Sequence, residues 1–241
     1  ISIRHLEFQK GMDDLYLQDL LYRLPKAGKV LAIGGGNAMD VGKYVAWQKT
    51  LPLIMIPTIV STGAVFQSPV PIRRAGRLEI CKETVAPEYL LFDYGIIRAA
   101  PSHLNRAGMG ECICQLGALG AWRWWDAQGL GGLPFDSHLC DKTADWVRQR
   151  CAKFSEDLDE DGQPGEIGIR IAAEINRERY DLPTRNVSEG SSLDHLFVVA
   201  FELTHRRELI HAEAVSLGSL IGAYVYESDF VETKALLDSC G

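Results

Sequence analysis

Apolar and polar positions follow two different rhythms along this chain. Leu15, Leu17, Leu20, Leu21 and Leu24 recur at helical spacing over 12–24 and stop before Pro25, which predicts a helix. Val30-Leu31-Ala32-Ile33 is an apolar run too short for a helix and closed by glycines, so it predicts a buried strand. In the run after the glycines, Met39, Val41, Val45 and Ala46 share a helix face, with Asn37 placed to cap it. Residues 51–57 predict a second buried strand, 72–78 a hairpin and 89–93 a further strand, while the alternation over 1–8 predicts another. From Ser102 the rhythm is helical: one long helix from Asn105 to Asp126, another over 141–154 with Ala144, Val147, Cys151 and Phe154 in step, then 167–180, 193–203 and 212–226. Residues 129–134 and 183–190 read as loops. Strands alternating with helices, then helices alone, predict an α/β domain over 1–101 and an all-helical domain over 102–241.

The glycines Gly34, Gly35 and Gly36 carry the first chemical signal. A strand turning through glycines into a helix presents unpaired N–H groups and the positive end of the helix dipole, a site for a phosphate. The plain alternative is an ordinary tight βα turn. The second strand delivers Thr58 to Ala64 to the same sheet edge, where open α/β sheets collect ligands. Standing alone, that segment reads as a strand end and a Ser/Thr turn. Further on, His195 and His211 sit in the two most apolar helices. Each alone reads as a core or helix-end histidine; with one carboxylate they form the minimal set of a catalytic divalent centre with a position open to substrate. Asp157, Asp159, Asp161 and Gly162 copy the start of a calcium loop, but position twelve is Gly168, so the stretch reads as a solvated linker. Arg73, Arg74 and Arg77 read as a solvated turn, and Trp122, Trp124 and Trp125 as helix packing.

Composition narrows the partners. Over 241 residues, 46% are hydrophobic and 24% charged, as in a soluble globular protein. A net charge of −7 argues against a nucleic-acid surface but says nothing about a local basic pocket. No apolar run reaches membrane-spanning length, and the N-terminus lacks the form of a signal peptide. The six cysteines form no CxxC pair and are expected to be reduced thiols of a cytoplasmic protein; the sequon Asn186-Val187-Ser188 then has no role.

Gly34-Gly35-Gly36 with Asp40 and Lys43 resembles the GGGxxxDxxK motif of the iron-containing alcohol dehydrogenase, glycerol dehydrogenase and dehydroquinate synthase superfamily. Three later segments, in the family's order, extend the resemblance. Residues 107–111 (AGMGE) resemble AGxGD, residues 191–197 (SSLDHLF) resemble GSEHxF, and residues 211–215 (HAEAV) resemble HGEAV. Together they point to the glycerol-1-phosphate dehydrogenase-like branch.

The resemblance implies the dehydroquinate synthase-like fold: a Rossmann-like nucleotide-binding domain followed by an all-helical metal-binding domain. It implies NAD or NADP held by Gly34, Gly35, Gly36, Asn37, Asp40, Lys43, Thr58, Ser61 and Ser68, and a catalytic Zn, Fe or Ni ion held by Glu111, His195 and His211. A small-molecule substrate and a homo-oligomer are further implications. Members also carry a strand–helix unit before the glycines and more helices at the end, so this chain, which opens without methionine, is expected to match part of a longer protein. Three positions depart from the pattern. Glu111 replaces an aspartate ligand, Gly63 an aspartate that touches substrate, and Val199 a second histidine near the substrate. The expected activity is a metal-dependent NAD(P)-linked oxidation of an alcohol or polyol, phosphorylated or not. A sugar-phosphate cyclase of the dehydroquinate synthase type, or a degenerate nucleotide-binding homologue without catalysis, are the alternatives.

Overall fold

The computed structural model describes residues 2–130, 132–179, 181–182, 184, 192–205 and 209–241. The chain divides into two compact units, Ile1–Ala100 and Pro101–Gly241.

The first unit is α/β. Helix α1 (Asp14–Arg23) is capped by Asp13, whose carboxylate accepts from the Leu15 N–H, and it buries Leu17 and Leu20. Strand β1 (Val30–Gly34) pairs in parallel with β2 (Leu53–Pro57), and β2 pairs in parallel with the two-residue β5 (Tyr89–Leu90). Helix α2 (Gly36–Lys49) crosses from β1 to β2. Its Met39 and Ala46 pack with Ala32, Leu53 and Met55, while Val41 and Val45 pack with Leu17, Leu20, Val70 and Ile72. The hairpin is present as β3 (Val70–Arg74) against β4 (Arg77–Cys81), antiparallel. Its Arg74 pairs with Asp14 and Glu79 in a largely exposed position, as a solvated turn should. The short helix α3 (Tyr94–Arg98), capped by Asp93, closes the unit.

Two expectations fail here for local reasons. Residues 2–8 form no strand despite their alternation. Arg23 instead ties the segment to α1, donating 2.7 Å hydrogen bonds from Nη1 and Nη2 to the Glu7 carboxylate. Asn37 is not the cap of α2: the helix starts two residues earlier than that cap would set, at Gly36, and its N-cap Gly35 has no side chain to accept from the first turn.

The second unit is helical, with α4 (Ser102–Ala107), α5 (Gly110–Ala127), α6 (Ser137–Ser155), α7 (Glu166–Glu178), α8 (Leu193–His205), α9 (His211–Val225) and α10 (Phe230–Cys240). The single long helix expected from Asn105 to Asp126 is two, broken at Gly108-Met109. Helix α6 buries Ala144, Val147, Cys151 and Phe154, the four residues in step. Trp122 is buried against Phe135, whereas Trp124 and Trp125 pack edge to face near the surface. The acidic stretch is a turn rather than a free linker: Asp159 accepts the N–H groups of Asp161 and Gln163, and Asp157 that of Gly168. The loop over 183–190, apart from Thr184, and its sequon lie outside the described residues.

Close helix approach decides what this unit can hold. A Cβ on Gly110 would stand 2.5 Å from the Ala212 carbonyl oxygen, and one on Gly218 would stand 2.6 Å from Asp194 Cα. Any side chain at either position would force α9 away from α5 or α8. The neighbours of these contact points are Glu111, His211 and His195.

The Glu7–Arg23 pair sets an acid dependence. Arg23's hydrogen bonds hold the Glu7 carboxyl down at about 2, against its ordinary 4.5. A lowered folded value means that the pair contributes fully above pH 4.5 and fades as pH falls toward 2. Glu7→Gln should therefore lower the melting temperature above pH 4.5, and a pH series of melts should show the gap to the unsubstituted chain closing at acid pH.

Candidate metal centre and nucleotide turn

Glu111, His195 and His211 come from three helices and meet. Glu111 lies in the first turn of α5, His195 in the first turn of α8, and His211 is the first residue of α9. One donor atom from each lies within 4.8 Å of the others. Glu111 Oε1 is 3.2 Å from His211 Nε2, and Glu111 Oε2 is 3.7 Å from His195 Nε2. A tetrahedral ion with bonds of about 2.1 Å holds its donors about 3.4 Å apart, so these spacings suit one ion. Both imidazoles are half-exposed, which leaves a side open for a further ligand.

The carboxylate itself is 1% exposed. Burial alone would raise its pKa, but the Arg179 guanidinium, with His211 and His195 behind it, holds it well below the usual carboxylate range. Arg179, just past the end of α7, pairs with Glu111 Oε2 directly. Asp194, also buried, contacts His195 Nδ1 through Oδ1 and accepts the His195 backbone N–H at 2.6 Å. Burial pushes the His195 pKa down, while that Asp194 contact and the Glu111 and Asp194 charges outweigh it and raise it. Asp194 thereby fixes the ring so that Nε2 faces Glu111. Sequence reasoning missed both Arg179 and Asp194. Asp194 had a local signal, an acid adjoining a candidate ligand; Arg179 had none, because it lies 68 residues from its partner.

The nucleotide-turn residues lie in the first unit. Gly34 has φ 144°, a value that favours glycine, and its carbonyl accepts the Thr58 N–H at 2.9 Å, joining the two strand ends. A Cβ on Gly36 would stand 2.9 Å from Thr62 Oγ1, and one on Gly35 2.9 Å from Ile59 Cδ1, so the glycines let the Thr58–Ala64 loop close over the uncapped start of α2. Asn37 is exposed in that first turn. Ser61 is buried; Ser68 is exposed and held by Lys82 and Thr84. Gly63 opens a one-turn 3-10 helix capped by Thr62. Val199 stands one turn after His195 on α8.

Asp40 and Lys43 do something other than face a nucleotide. Lys43 is 1% exposed, and its ammonium donates to the carbonyls of Ala64 and Gln67 at 2.9 Å and Pro69 at 3.3 Å. Asp40 Oδ1 sits 2.7 Å from the same nitrogen. The pair fastens the 64–69 segment to α2, and Lys43 has no donor left for a phosphate.

The family model for iron-containing alcohol dehydrogenase matches residues 3–101. Over that stretch the chain is similar to the family. Curated relatives include a glycerol-1-phosphate dehydrogenase [NAD(P)+] of Sulfurisphaera tokodaii, 26% identical over 96% of this chain and 65% of that protein. Another with the same description, from Thermoplasma acidophilum, is 25% identical over 90% of this chain and 60% of that protein. The chain thus spans less than two thirds of the length of these relatives. Among solved structures, a probable glycerol dehydrogenase from Sinorhizobium meliloti 1021 superposes with a TM-score of 0.72 at 21% identity, covering 100% of this chain and 70% of that one. Its fold, an α/β domain and a helical domain, is the one found here.

The role of Lys43 is testable by stability. Lys43→Met strands a buried carboxylate and three carbonyls and should cost about 3–5 kcal/mol by denaturant unfolding. Asp40→Leu combined with Lys43→Met, which removes the charge as well, should recover much of that loss.

Proposed function

We propose that this chain is the nucleotide- and metal-binding core of an NAD(P)-linked dehydrogenase acting on an alcohol or polyol, with glycerol 1-phosphate the first substrate to test. The supporting observation is the spacing of Glu111, His195 and His211, three donors set for one divalent ion with a side left open. The names of the relatives, glycerol-1-phosphate dehydrogenase and iron-containing alcohol dehydrogenase, agree with it.

The residues divide the work. Glu111, His195 and His211 would hold the ion, Glu111 offsetting half its charge and the neutral imidazoles leaving its acidity intact. Zinc, ferrous iron and nickel all suit that donor set. Asp194 orients His195 through Nδ1. At the other centre, the uncapped start of α2 and the Thr58 and Ser61 hydroxyls would receive the dinucleotide's phosphates. Once bound, the ion would polarise the substrate hydroxyl and the nicotinamide would take the hydride. Six free cysteines fit a reducing compartment such as the cytoplasm. No helix among the described residues is long and apolar enough to cross a membrane.

One observation favours the degenerate homologue as a second reading. Arg179 sits on the carboxylate that would hold the ion. Elemental analysis separates the two readings: about one metal per chain supports the enzyme, and none after growth with zinc, iron or nickel supports the relic.

Two measurements test the proposal. In protein loaded with ferrous iron, Glu111→Gln should lose the iron, whereas Glu111→Asp should keep partial occupancy. NADH or NADPH at about a hundredfold its Kd should add about 2.7 kcal/mol, a rise of about 5–10 °C in melting temperature for a chain this size. No shift with either cofactor and no metal would overturn the reading.

A further inference from the structure

A second donor set adjoins the Glu111 centre and draws on the same histidine. Cys114 follows Glu111 by three residues on α5, so both side chains leave one face of the helix. Cys114 Sγ, an Asp194 carboxylate oxygen and a His195 ring nitrogen lie within 4.8 Å of one another. The set is more enclosed than its neighbour: Cys114 is 3% exposed and Asp194 1%. Asp194 Oδ1 is engaged by His195, but Oδ2 is sealed from solvent with no hydrogen-bond partner among the described residues. A carboxylate oxygen buried without a donor is costly, and a thiol is a weak donor. A cation would satisfy Oδ2 far better. Gly117 on α5 faces Oδ2 without a side chain; a Cβ there would stand 3.6 Å from it. Burial and the Asp194 and Glu111 charges keep the Cys114 thiol protonated, so an ion would have to displace that proton, and Gln115 Nε2, donating toward Sγ at 3.5 Å, would favour the resulting thiolate.

We propose that Cys114, Asp194 and His195 form a buried site for a soft divalent ion, zinc by its chemistry, that competes with the Glu111–His195–His211 set. Competition follows from the shared ring. A neutral imidazole offers one acceptor nitrogen at a time, and here Nδ1 faces Asp194 while Nε2 faces Glu111 at 3.7 Å. An ion on either set fixes the tautomer that the other cannot use. The sets also differ in softness: a thiolate selects zinc, whereas carboxylate and imidazole accept ferrous iron. Excess zinc is therefore drawn to the closed set and removes His195 from the open one. The Glu111 centre enters only as the competitor, and a sulfur signature reports the second set whether or not the first is loaded.

The full chain, stripped with a chelator and loaded with Co²⁺ alone, should develop a thiolate-to-cobalt charge-transfer band in the near ultraviolet. Glu111→Gln should keep that band and Cys114→Ser should lose it. In the unsubstituted chain loaded with Zn²⁺, X-ray absorption should find one sulfur neighbour at about 2.3 Å, a reading that needs no variant to fold. Nitrogen and oxygen neighbours alone, a band surviving Cys114→Ser, or a band lost in Glu111→Gln would each overturn the proposal.

Discussion

A carboxylate 1% exposed at the head of an 18-residue helix sets the terms for the helical unit. A charge taken out of water costs several kcal/mol unless partners replace its hydration. Glu111 has Arg179 and the two imidazoles around it, each from a different helix or helix end. The two imidazoles reach it because α5, α8 and α9 approach closely. Gly110 lets α5 meet Ala212, which sets His211 beside Glu111, and Gly218 lets α9 meet Asp194, which brings His195 in from the third side. Buried apolar contacts among Cys114, Val198, Ala214 and Val215 hold the approach. The functional cluster and the packing of the unit are one arrangement, so a bulkier residue at either glycine would disturb both.

The first unit solves a related problem with a different outcome. Asp40 and Lys43 are also charges withdrawn from water, but every donor of the ammonium is consumed inside the unit. Their product is geometry: the 64–69 segment is pinned to α2, which leaves the Thr58–Ala64 loop lying over the glycines. A motif that names two charged residues near a phosphate turn invites an electrostatic role. Burial decides otherwise, and the pair acts on a ligand only through the loop it fastens.

The strands, the hairpin and most helices were legible in the sequence because period alone identifies them. The glycine turn was equally legible, since a strand, three glycines and a helix in that order have few other solutions. What period could not supply were relations across distance. The alternation over 1–8 looks like a strand, yet a strand needs a neighbour, and Glu7 finds Arg23 instead. The break at Gly108-Met109 was hidden because the apolar spacing continues through it. The candidate metal residues came from a resemblance, and neither helix pattern says that Glu111, 84 residues before His195 and 100 before His211, should meet them. The glycines at 110 and 218 were the readable clue. A glycine inside an apolar helix is costly for helix propensity and often marks a close approach.

Arg179 changes what an ion would gain by binding here. In a site whose buried acid has no other cation beside it, an entering ion would meet the full charge of the carboxylate. Here the guanidinium already compensates Glu111, so an ion entering beside it must either displace Arg179 or share the carboxylate with it. Metal affinity is then a difference between two compensated states, smaller than the bare attraction and sensitive to where Arg179 can go. The longer arm of Glu111, relative to the aspartate of the resembled motif, bears on the same balance. It offers one oxygen to His211 and the other to both Arg179 and His195, so an ion could take the His211 side while the guanidinium keeps its hold. On this argument the substitution to glutamate and the presence of Arg179 belong together, each making room for the other.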